Sequence, residues 1–335
     1  MIIDLRSDTL TRPTPDMLAA MMRAEVGDDV FSEDPTITKL EALSANMFGM
    51  EAGLFCPSGT MTNQIAVKVH TQPLDEVICD KLCHIYNYEV GGWAFHSGVS
   101  VRLTDGDRGI MTTDQIEKCI LPDYDWYSNT RLVCIENTVN KGGGAVYTID
   151  QMKVISDYCR AKGLSYHLDG ARIFNALITL GKKTTDLSGI FDTISVCLSK
   201  GLGAPVGSVL LGPRDLIKKA RKIRKVMGGG MRQAGYLAAA CVYALENNID
   251  RLSEDHQKAK HIESLLNQCS WVKQVMPVET NIIIFEVADS AQTAEQLATV
   301  GIRTSPFSPT LVRMVTHLDI TDEMMRKFES TILSI

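Results

Sequence analysis

The sequence predicts an α/β protein with a large domain on a mainly parallel seven-stranded sheet and a smaller α+β domain at the C-terminus. Short apolar runs alternate with segments of helical periodicity over most of the chain, which is the pattern of parallel strands joined by helices. These runs are apolar almost throughout, as expected when helices cover both faces of a sheet. After Leu211 the pattern changes to successive helices, and a second set of short strands follows.

Several helices and strands can be placed in order. Asp34 and Pro35 are typical of a helix start, Gly49 is typical of its end, and Thr148 with Gln151 predicts a capping box at the start of a later helix. We predict the seven strands at residues 52–56, 76–80, 99–103, 131–136, 164–169, 193–198 and 206–211. Further helices are predicted at residues 61–69, 214–225, 233–245 and 249–267.

The C-terminal part of the chain has the pattern of a second, smaller unit. Strands are predicted at residues 281–287, 301–304 and 311–316, with helices at 291–299 and 322–333. We place the domain boundary at Asp250. This division gives an N-terminal arm and large domain over residues 1–250 and a small domain over residues 251–335.

Composition excludes several classes of protein. The 335 residues are 45% hydrophobic and 22% charged, which excludes a disordered or fibrous chain. With 34 basic and 40 acidic residues the net charge is −6, so the chain has no overall electrostatic reason to bind nucleic acid or anionic membranes. The N-terminus lacks a signal-peptide pattern, and no apolar run approaches the roughly 20 residues of a bilayer span. The nine scattered cysteines are typical of reduced thiols. We therefore expect a cytoplasmic protein.

Three predicted strands end in residues that can react or bind an anion. These are Ser58-Gly59-Thr60, Asp169-Gly170-Ala171-Arg172 and Ser199-Lys200-Gly201-Leu202-Gly203. Ligands of open α/β sheets bind outside the carboxyl ends of the strands. The first segment offers amides and hydroxyls at a helix start, where the helix dipole favours a phosphate, although it could also be an ordinary capped turn.

The other two segments also have a functional and a structural interpretation. Asp169 can hold a proton on a heterocycle nitrogen while Arg172 clamps a substrate carboxylate, or the two can form a structural pair. Lys200, at the mouth of a buried strand among glycines, is a candidate Schiff-base nucleophile or a solvated surface charge. Together the three segments match the phosphate, the ring nitrogen and the aldehyde of pyridoxal phosphate.

Other sites receive less support. Gly201, Gly203 and Gly207 lack the spacing of a dinucleotide-binding loop, and no zinc-protease, Walker or serine-hydrolase motif is present. Cys79 and Cys83 beside a histidine have no second ligand pair at zinc spacing, so no metal is predicted.

Seven stretches, taken in order along the chain, resemble one family. They are DLRSDT at residues 4–9, VGDDV through EDPT at 26–36, PSGTM at 57–61, HLDGARIFN at 167–175, CLSKGLGAPVGS at 197–208, GGGMRQAG at 228–235 and LVRMVTH at 311–317. The chain is similar in these stretches to the low-specificity L-threonine aldolases, which are fold type I, aspartate-aminotransferase-like pyridoxal-phosphate enzymes. The resemblance implies cleavage of L-threonine, L-allo-threonine and related β-hydroxy-α-amino acids to glycine and an aldehyde.

The resemblance also implies roles for individual residues. Lys200 would bind the cofactor aldehyde, Asp169 its ring nitrogen and Ser58, Gly59 and Thr60 its phosphate, while His84 would stack on the ring. Ser7, Arg172 and Arg313 would bind the substrate carboxylate. Lys225 and Arg232 would reach the site of a neighbouring subunit, which implies a homo-oligomer, in this family usually a tetramer built as a dimer of dimers.

Local structural alternatives exist for these residues. His84 could be a core histidine, Ser7 could cap a turn, and Arg313 could be a snorkelling edge residue. Lys225 and Arg232 could belong to a solvated basic helix face.

One position departs from the family pattern. Many members carry a histidine near the substrate hydroxyl, about ten residues before the Glu-Asn-Thr motif, where this chain has Trp126. An indole is only a donor, so His84 or a water would take the hydroxyl proton, or the preferred substrate would differ. We therefore expect Trp126 to form an apolar wall of the substrate pocket. A β-eliminating lyase acting on another amino acid and a non-catalytic cofactor-binding homologue remain alternatives.

Overall fold

The structure, a computed structural model, describes residues 1–335 and contains thirteen strands and thirteen α-helices. The strands are β1 (Ile3–Asp4), β2 (Ala52–Cys56), β3 (Asp75–Asp80), β4 (Ser100–Thr104), β5 (Asn129–Glu136), β6 (Ser165–Gly170), β7 (Thr193–Cys197), β8 (Ser208–Gly212), β9 (Gln274–Val275), β10 (Ile282–Glu286), β11 (Ile302–Arg303), β12 (Ser305–Pro306) and β13 (Leu311–Val315). The helices are α1 (Pro15–Met22), α2 (Pro35–Phe48), α3 (Gly59–His70), α4 (His84–Asn87), α5 (Gly92–Ser97), α6 (Thr113–Cys119), α7 (Ile149–Lys162), α8 (Ile173–Leu180), α9 (Arg214–Val226), α10 (Gly235–Asn247), α11 (Leu252–Leu266), α12 (Ser290–Thr299) and α13 (Asp322–Ile332).

Seven strands form the central sheet in the order β2-β8-β7-β6-β5-β3-β4. Only β8 runs antiparallel to its neighbours, so the other six strands share one direction. This arrangement confirms the predicted mainly parallel, seven-stranded α/β fold. Because the six strands share a direction, their carboxyl ends lie along one edge of the sheet, and the segments that follow them converge there.

Side-chain caps set the helix boundaries that the sequence predicts. The Asp34 carboxylate accepts hydrogen bonds from the Thr36 and Ile37 amides at 3.1 and 3.0 Å, which begins α2. Gly49 ends this helix in the left-handed region at φ 65°. Thr148 and Gln151 form the predicted capping box at the start of α7.

The C-terminal part of the chain has its own sheet and hydrophobic core. Strands β12, β13, β10 and β9 form an antiparallel sheet, and β1 pairs in parallel with β11. Ile3 and Leu5 are therefore buried in a core otherwise made of residues after Leu252. The chain between α10 and α11 is a turn over residues 248–251, whereas the sequence predicts an uninterrupted helix from residue 249. We retain residue 250 as a proposed domain boundary, with β1 packing on the small domain.

No helix in this structure combines the length and the apolar character that crossing a membrane requires. All nine cysteines are free and buried.

Candidate active site

Candidate functional residues follow five strands of the central sheet at its carboxyl edge. They are Ser58 after β2, His84 after β3, Glu136 at the end of β5, Asp169 in β6 and Lys200 after β7. The N-terminal segment brings Asp8 to the same region, and β13 of the small domain brings Arg313. The site therefore lies where the central sheet meets the small domain.

Lys200 lies in a tight turn directly after β7. Its carbonyl accepts a hydrogen bond from the Gly203 amide at 2.8 Å, and Gly203 adopts φ +84°, which favours glycine. The side chain of Lys200 is half-buried and forms no hydrogen bond or ion pair. Its charge nevertheless helps to lower the pKa of Asp8, so the two groups are close. An unpaired amine at this position is available to react.

Asp169 is buried on β6 and is held by two donors. The Asn63 side-chain Nδ2 donates to Asp169 Oδ2 at 2.8 Å, and the Ala171 amide donates to Oδ1 at 3.1 Å. The same Nδ2 of Asn63 donates to Glu89 Oε1 at 2.8 Å. The structural pair of Asp169 with Arg172 does not form, so the Asp169 carboxylate has no ion-pair partner in the chain.

His84 begins α4 and faces a group of buried carboxylates. Its Nδ1 lies 2.9 Å from Glu89 Oε1, and its backbone amide donates to Glu136 Oε2 at 2.8 Å. Burial alone lowers the pKa of His84, but the hydrogen bond with Glu89 and the charges of Asp169 and Glu136 outweigh burial and raise it. Burial and the charge of Asp169 raise the pKa of Glu136 to about 7. His84 is half-buried and not a core histidine.

The ligand atoms of His84, Glu89 and Asp169 lie within 4.8 Å of one another, which is close enough for a metal ion. Glu89 and Asp169 already accept hydrogen bonds from Asn63, and Glu89 Oε1 also lies 2.9 Å from His84 Nδ1. This hydrogen bonding accounts for the cluster without a metal.

Arg172 forms a buried ion pair with Asp8. Arg172 Nε and Nη2 donate to the two carboxylate oxygens of Asp8, each at 2.7 Å. Burial raises the pKa of Asp8, but the charge and hydrogen bonds of Arg172, with Lys200 and Asn281, hold it below its usual value. Because Nη1 of Arg172 forms no hydrogen bond, one edge of the guanidinium is free for a further anion.

Arg313 lies on β13 beside this pair. Its Nη1 donates to Asn140 Oδ1 at 2.9 Å and its Nη2 to the Arg6 carbonyl at 3.0 Å, while its buried Nε has no partner. Burial and the nearby charge of Arg172 lower the pKa of Arg313. Two guanidinium groups that destabilise each other in this way form a site suited to a carboxylate.

The turn after β2 leaves two amides free at the start of α3. The Ser58 hydroxyl accepts from the Met61 amide at 3.2 Å, whereas the amides of Gly59 and Thr60 precede the first helical hydrogen bond. The Ser208 hydroxyl is buried without a partner, 3.5 Å from the position that a Cβ at Gly59 would take. These donors at a helix N-terminus suit a phosphate.

Three other residues predicted from the sequence, Ser7, Lys225 and Arg232, form no hydrogen bond with the residues around Lys200 within the chain. Ser7 is near the site, but its hydroxyl caps a turn by accepting from the Thr9 amide at 3.2 Å. Arg232 pairs with Asp28 at 2.9 Å, and Lys225 is exposed at the end of α9. Neither side chain bonds to the residues around Lys200.

Within the single chain Trp126 lies away from the residues around Lys200, and its place in a wall of the substrate pocket stays a prediction. It precedes β5 and so lies at the amino edge of the sheet, whereas Glu136 ends the same strand at the carboxyl edge. Eight residues of strand, at about 3.3 Å per residue, separate the two edges. Trp126 is 73% exposed and stacks on Tyr124.

Four polar residues of the site were not singled out from the sequence: Asp8, Asn63, Glu89 and Glu136. Asp8 lies within the matched stretch at residues 4–9, and Asn63 is part of a Thr-Asn-Gln run on an otherwise apolar helix, which was an available signal. Glu89 had no comparable local signal, because its importance comes from its contacts with Asn63 and His84.

The donor set fits pyridoxal phosphate. Free amides and an unpartnered hydroxyl suit its phosphate, the buried Asp169 carboxylate suits a protonated ring nitrogen, and the unpaired Lys200 amine suits its aldehyde. The two arginines beside these groups suit the carboxylate of an amino acid. This fold and site define the class of fold type I pyridoxal-phosphate enzymes.

The protein belongs to the β-eliminating lyase family, whose model matches residues 4–290. It is 43% identical over 329 residues to low-specificity L-threonine aldolase 1 of Arabidopsis thaliana, covering 95% of this chain and 92% of that one. It is 41% identical to the low specificity L-threonine aldolase of Escherichia coli O157:H7, covering 97% and 96%. The solved structure of Leishmania major threonine aldolase superposes with a TM-score of 0.86 at 22% identity, over 98% of both chains, which shows a shared fold.

Proposed function

We propose that the protein cleaves the Cα–Cβ bond of L-threonine, L-allo-threonine and related β-hydroxy-α-amino acids, releasing glycine and an aldehyde. The observation that carries the proposal is the grouping of an unpaired Lys200 with two arginines and the buried carboxylate of Asp169 at one edge of the sheet. The low-specificity L-threonine aldolases among its relatives, with which the chain shares about 40% of its residues, support the same reaction.

Pyridoxal phosphate, when bound, supplies an aldehyde for the substrate amine and a ring that accepts the electron pair left by bond cleavage. Lys200 would hold the aldehyde carbon, and the amides of Gly59 and Thr60 with the Ser58 hydroxyl would hold the phosphate. Asp169 would bond the protonated ring nitrogen, with its carboxylate held in place by hydrogen bonds from Asn63 and the Ala171 amide.

The substrate carboxylate would bind between the two guanidinium groups. Arg172 offers its free Nη1 and is fixed in place by Asp8, while Arg313 adds a second positive charge beside it. Ser7 would add a hydroxyl at the edge of this site. Fixing the carboxylate determines which bond at Cα stands perpendicular to the cofactor ring, and therefore favours cleavage of Cα–Cβ.

His84 is the side chain proposed to take the β-hydroxyl proton. Its Nδ1 is bonded to Glu89, so Nε2 remains for the substrate. In the neutral ring Nδ1–H donates to the Glu89 carboxylate and Nε2 is the accepting atom. General-base assistance of this kind typically contributes about 10²–10⁴-fold to the rate.

The test is product analysis with purified protein and added pyridoxal phosphate. L-Threonine and L-allo-threonine are supplied in parallel, and glycine with acetaldehyde is the expected product pair, absent from Lys200→Ala. Release of 2-oxobutanoate and ammonia would instead indicate a β-eliminating lyase. A visible cofactor spectrum with no product from any β-hydroxy amino acid would indicate a non-catalytic homologue.

We also propose a homotetramer, built as a dimer of dimers, in the cytoplasm. Large apolar side chains that are exposed in the single chain support assembly; they are Phe31, Val90, Phe95, Trp126 and Val226. Phe31 lies against Arg232, which is proposed with Lys225 to reach a neighbouring subunit's site. The nine reduced cysteines support a reducing compartment. Light scattering of the purified protein tests the tetramer.

A further inference from the structure

A chain of buried hydrogen bonds extends from Asp169 away from the proposed cofactor site. Asn63 Oδ1 lies 3.2 Å from His167 Nε2. His167 Nδ1 lies 2.9 Å from the Thr193 hydroxyl and 3.1 Å from the Thr193 carbonyl oxygen. The Thr193 hydroxyl lies 2.9 Å from His70 Nε2. Asn63, His167 and Thr193 are almost completely buried, so these contacts have no competition from water.

The fold places these residues in register. His167 and Asp169 are two residues apart on β6 and so face the same side of the sheet. Thr193 is the strand partner of His167 on β7. Asn63 and His70 are seven residues apart on α3, so both face the sheet.

The two carboxylates determine the orientation of the Asn63 amide. Nδ2 donates to both Asp169 and Glu89, which uses both of its hydrogens. The reverse orientation would place the Asn63 carbonyl oxygen against two carboxylates with no donor. Oδ1 must therefore face His167, and because Oδ1 only accepts, His167 must carry a hydrogen on Nε2.

The protonation of His167 follows from its surroundings. Burial is the largest effect and lowers the pKa of His167 to about 3. The charge of Asp169 and the hydrogen bond with the Thr193 backbone raise this pKa, and the charge of His70 lowers it further, but these effects are smaller than burial. The ring is therefore neutral at physiological pH and carries one hydrogen. Both nitrogens face an acceptor, Nε2 the Asn63 amide oxygen and Nδ1 the Thr193 carbonyl, but only Nδ1 also has a hydroxyl beside it that can donate. The hydrogen is therefore assigned to Nε2, and Nδ1 is bare. The Thr193 hydroxyl then donates to Nδ1, and its oxygen accepts from His70 Nε2–H.

We propose that His167 is a positioning residue, whose Nε2–H fixes the Asn63 amide and so positions the Asp169 carboxylate that would bond the cofactor ring. This inference rests on the proposed function. Without a donor at this position, Asn63 Oδ1 is left buried and unsatisfied, which destabilises the orientation in which Nδ2 donates to Asp169 and Glu89. The hydrogen bond from Asn63 to Asp169 is then weaker, so the carboxylate that would bond the ring nitrogen is positioned less firmly.

The first experiment compares His167→Leu, which removes the donor, with His167→Gln, whose amide can replace Nε2–H. His256→Leu is the matched control, since His256 is also neutral through burial and bonds an asparagine, Asn175, outside the site. The dissociation constant for pyridoxal phosphate is measured by the rise of visible absorbance on addition to the apoprotein. Kinetics with L-threonine are then measured on the loaded variants.

His167→Leu is expected to weaken cofactor binding about tenfold, the effect of one buried unsatisfied acceptor. In His167→Leu the kcat should also fall, with little change in KM. His167→Gln should restore most of the cofactor affinity and most of the kcat. His256→Leu should bind the cofactor as the wild type does. The inference is overturned when His167→Leu binds the cofactor as wild type does, or when His167→Gln loses as much as His167→Leu. Wild-type protein that binds no pyridoxal phosphate would instead refute the proposed function.

A second measurement needs no variant. Nitrogen-15 NMR of histidine-labelled apoprotein reports the tautomer of each buried ring. A neutral Nε2–H ring for His167 at neutral pH is expected, and a neutral Nδ1–H ring or a charged ring would overturn the inference even if His167→Leu failed to fold.

Discussion

The guanidinium of Arg172 and the carboxylate of Asp8 form two parallel hydrogen bonds of 2.7 Å, although the residues are 164 positions apart in the chain. Both side chains are almost completely buried. Asp8 also accepts from Asn281 at 3.2 Å, so the pair joins the N-terminal segment, the large domain and the small domain. The substrate-binding arginine is thus held by residues from three parts of the chain.

Replacing Asp8 by Asn should destabilise the protein strongly. Arg172 would remain buried without a counter-charge, a change that typically costs about 3–5 kcal/mol of unfolding free energy. Chemical denaturation measures the loss. Asp4→Asn is the control, because the Asp4–Arg6 pair is partly exposed to solvent and should contribute less than about 1 kcal/mol. Equal losses in the two variants would show that the buried pair is not important for stability.

The same pair should make stability fall at acidic pH. The pKa of Asp8 is held below its ordinary value in the folded protein, so its contribution is present above the unfolded pKa of about 3.9. It is lost as pH falls from there towards the lower folded pKa. Unfolding of wild type and Asp8→Asn at a series of pH values should give curves that converge below about pH 4. Curves that stay parallel in this range would show that the ionised Asp8 carboxylate is not the source of the acid sensitivity.

Replacing Arg313 by Lys should raise the KM for L-threonine by about tenfold and leave the cofactor affinity unchanged. Lysine keeps the positive charge, but its single amine cannot bond Asn140 and a substrate carboxylate in the way that a guanidinium can. Steady-state kinetics and cofactor titration measure the two effects. Arg303→Lys is the control, because Arg303 is exposed on the small domain. An unchanged KM in Arg313→Lys would place the substrate carboxylate elsewhere.

Replacing Glu89 by Gln should move the acid limb of the pH–rate profile to lower pH. The hydrogen bond to Glu89 and the nearby carboxylates raise the pKa of His84 above its ordinary value of 6.5 despite burial. A general base must be neutral, so activity falls as pH drops below that raised pKa, and removing the Glu89 charge lowers the pKa. The limb is read from kcat/KM against pH, with His261→Asn as a surface control. A limb at the same pH in Glu89→Gln would mean that His84 is not the base.

Local patterns were sufficient to predict most of the elements. Asp34, Gly49 and the Thr148–Gln151 pair act within a few residues of the helix ends they set, so the sequence alone locates those ends. Lys200 and Asp169 could be singled out for a similar reason, because each follows or ends an apolar strand. The carboxyl edge of a parallel sheet then brings them together.

Long-range contacts were not visible in the sequence. Nothing near Arg172 indicates that its partner is Asp8, and nothing near Asn63 indicates that it bridges two carboxylates. The antiparallel direction of β8 is equally invisible, because an apolar strand has the same composition in either direction. The position of Trp126 was inferred by counting residues, and the length of β5 places it at the opposite edge of the sheet.

The covalent attachment of the cofactor tests the account most directly. Wild-type protein is incubated with pyridoxal phosphate and reduced with borohydride, and its peptides are analysed by mass spectrometry. The account predicts one modified lysine, Lys200, and loss of activity in proportion to labelling. Labelling of another lysine such as Lys225, or no labelling at saturating cofactor, would contradict it.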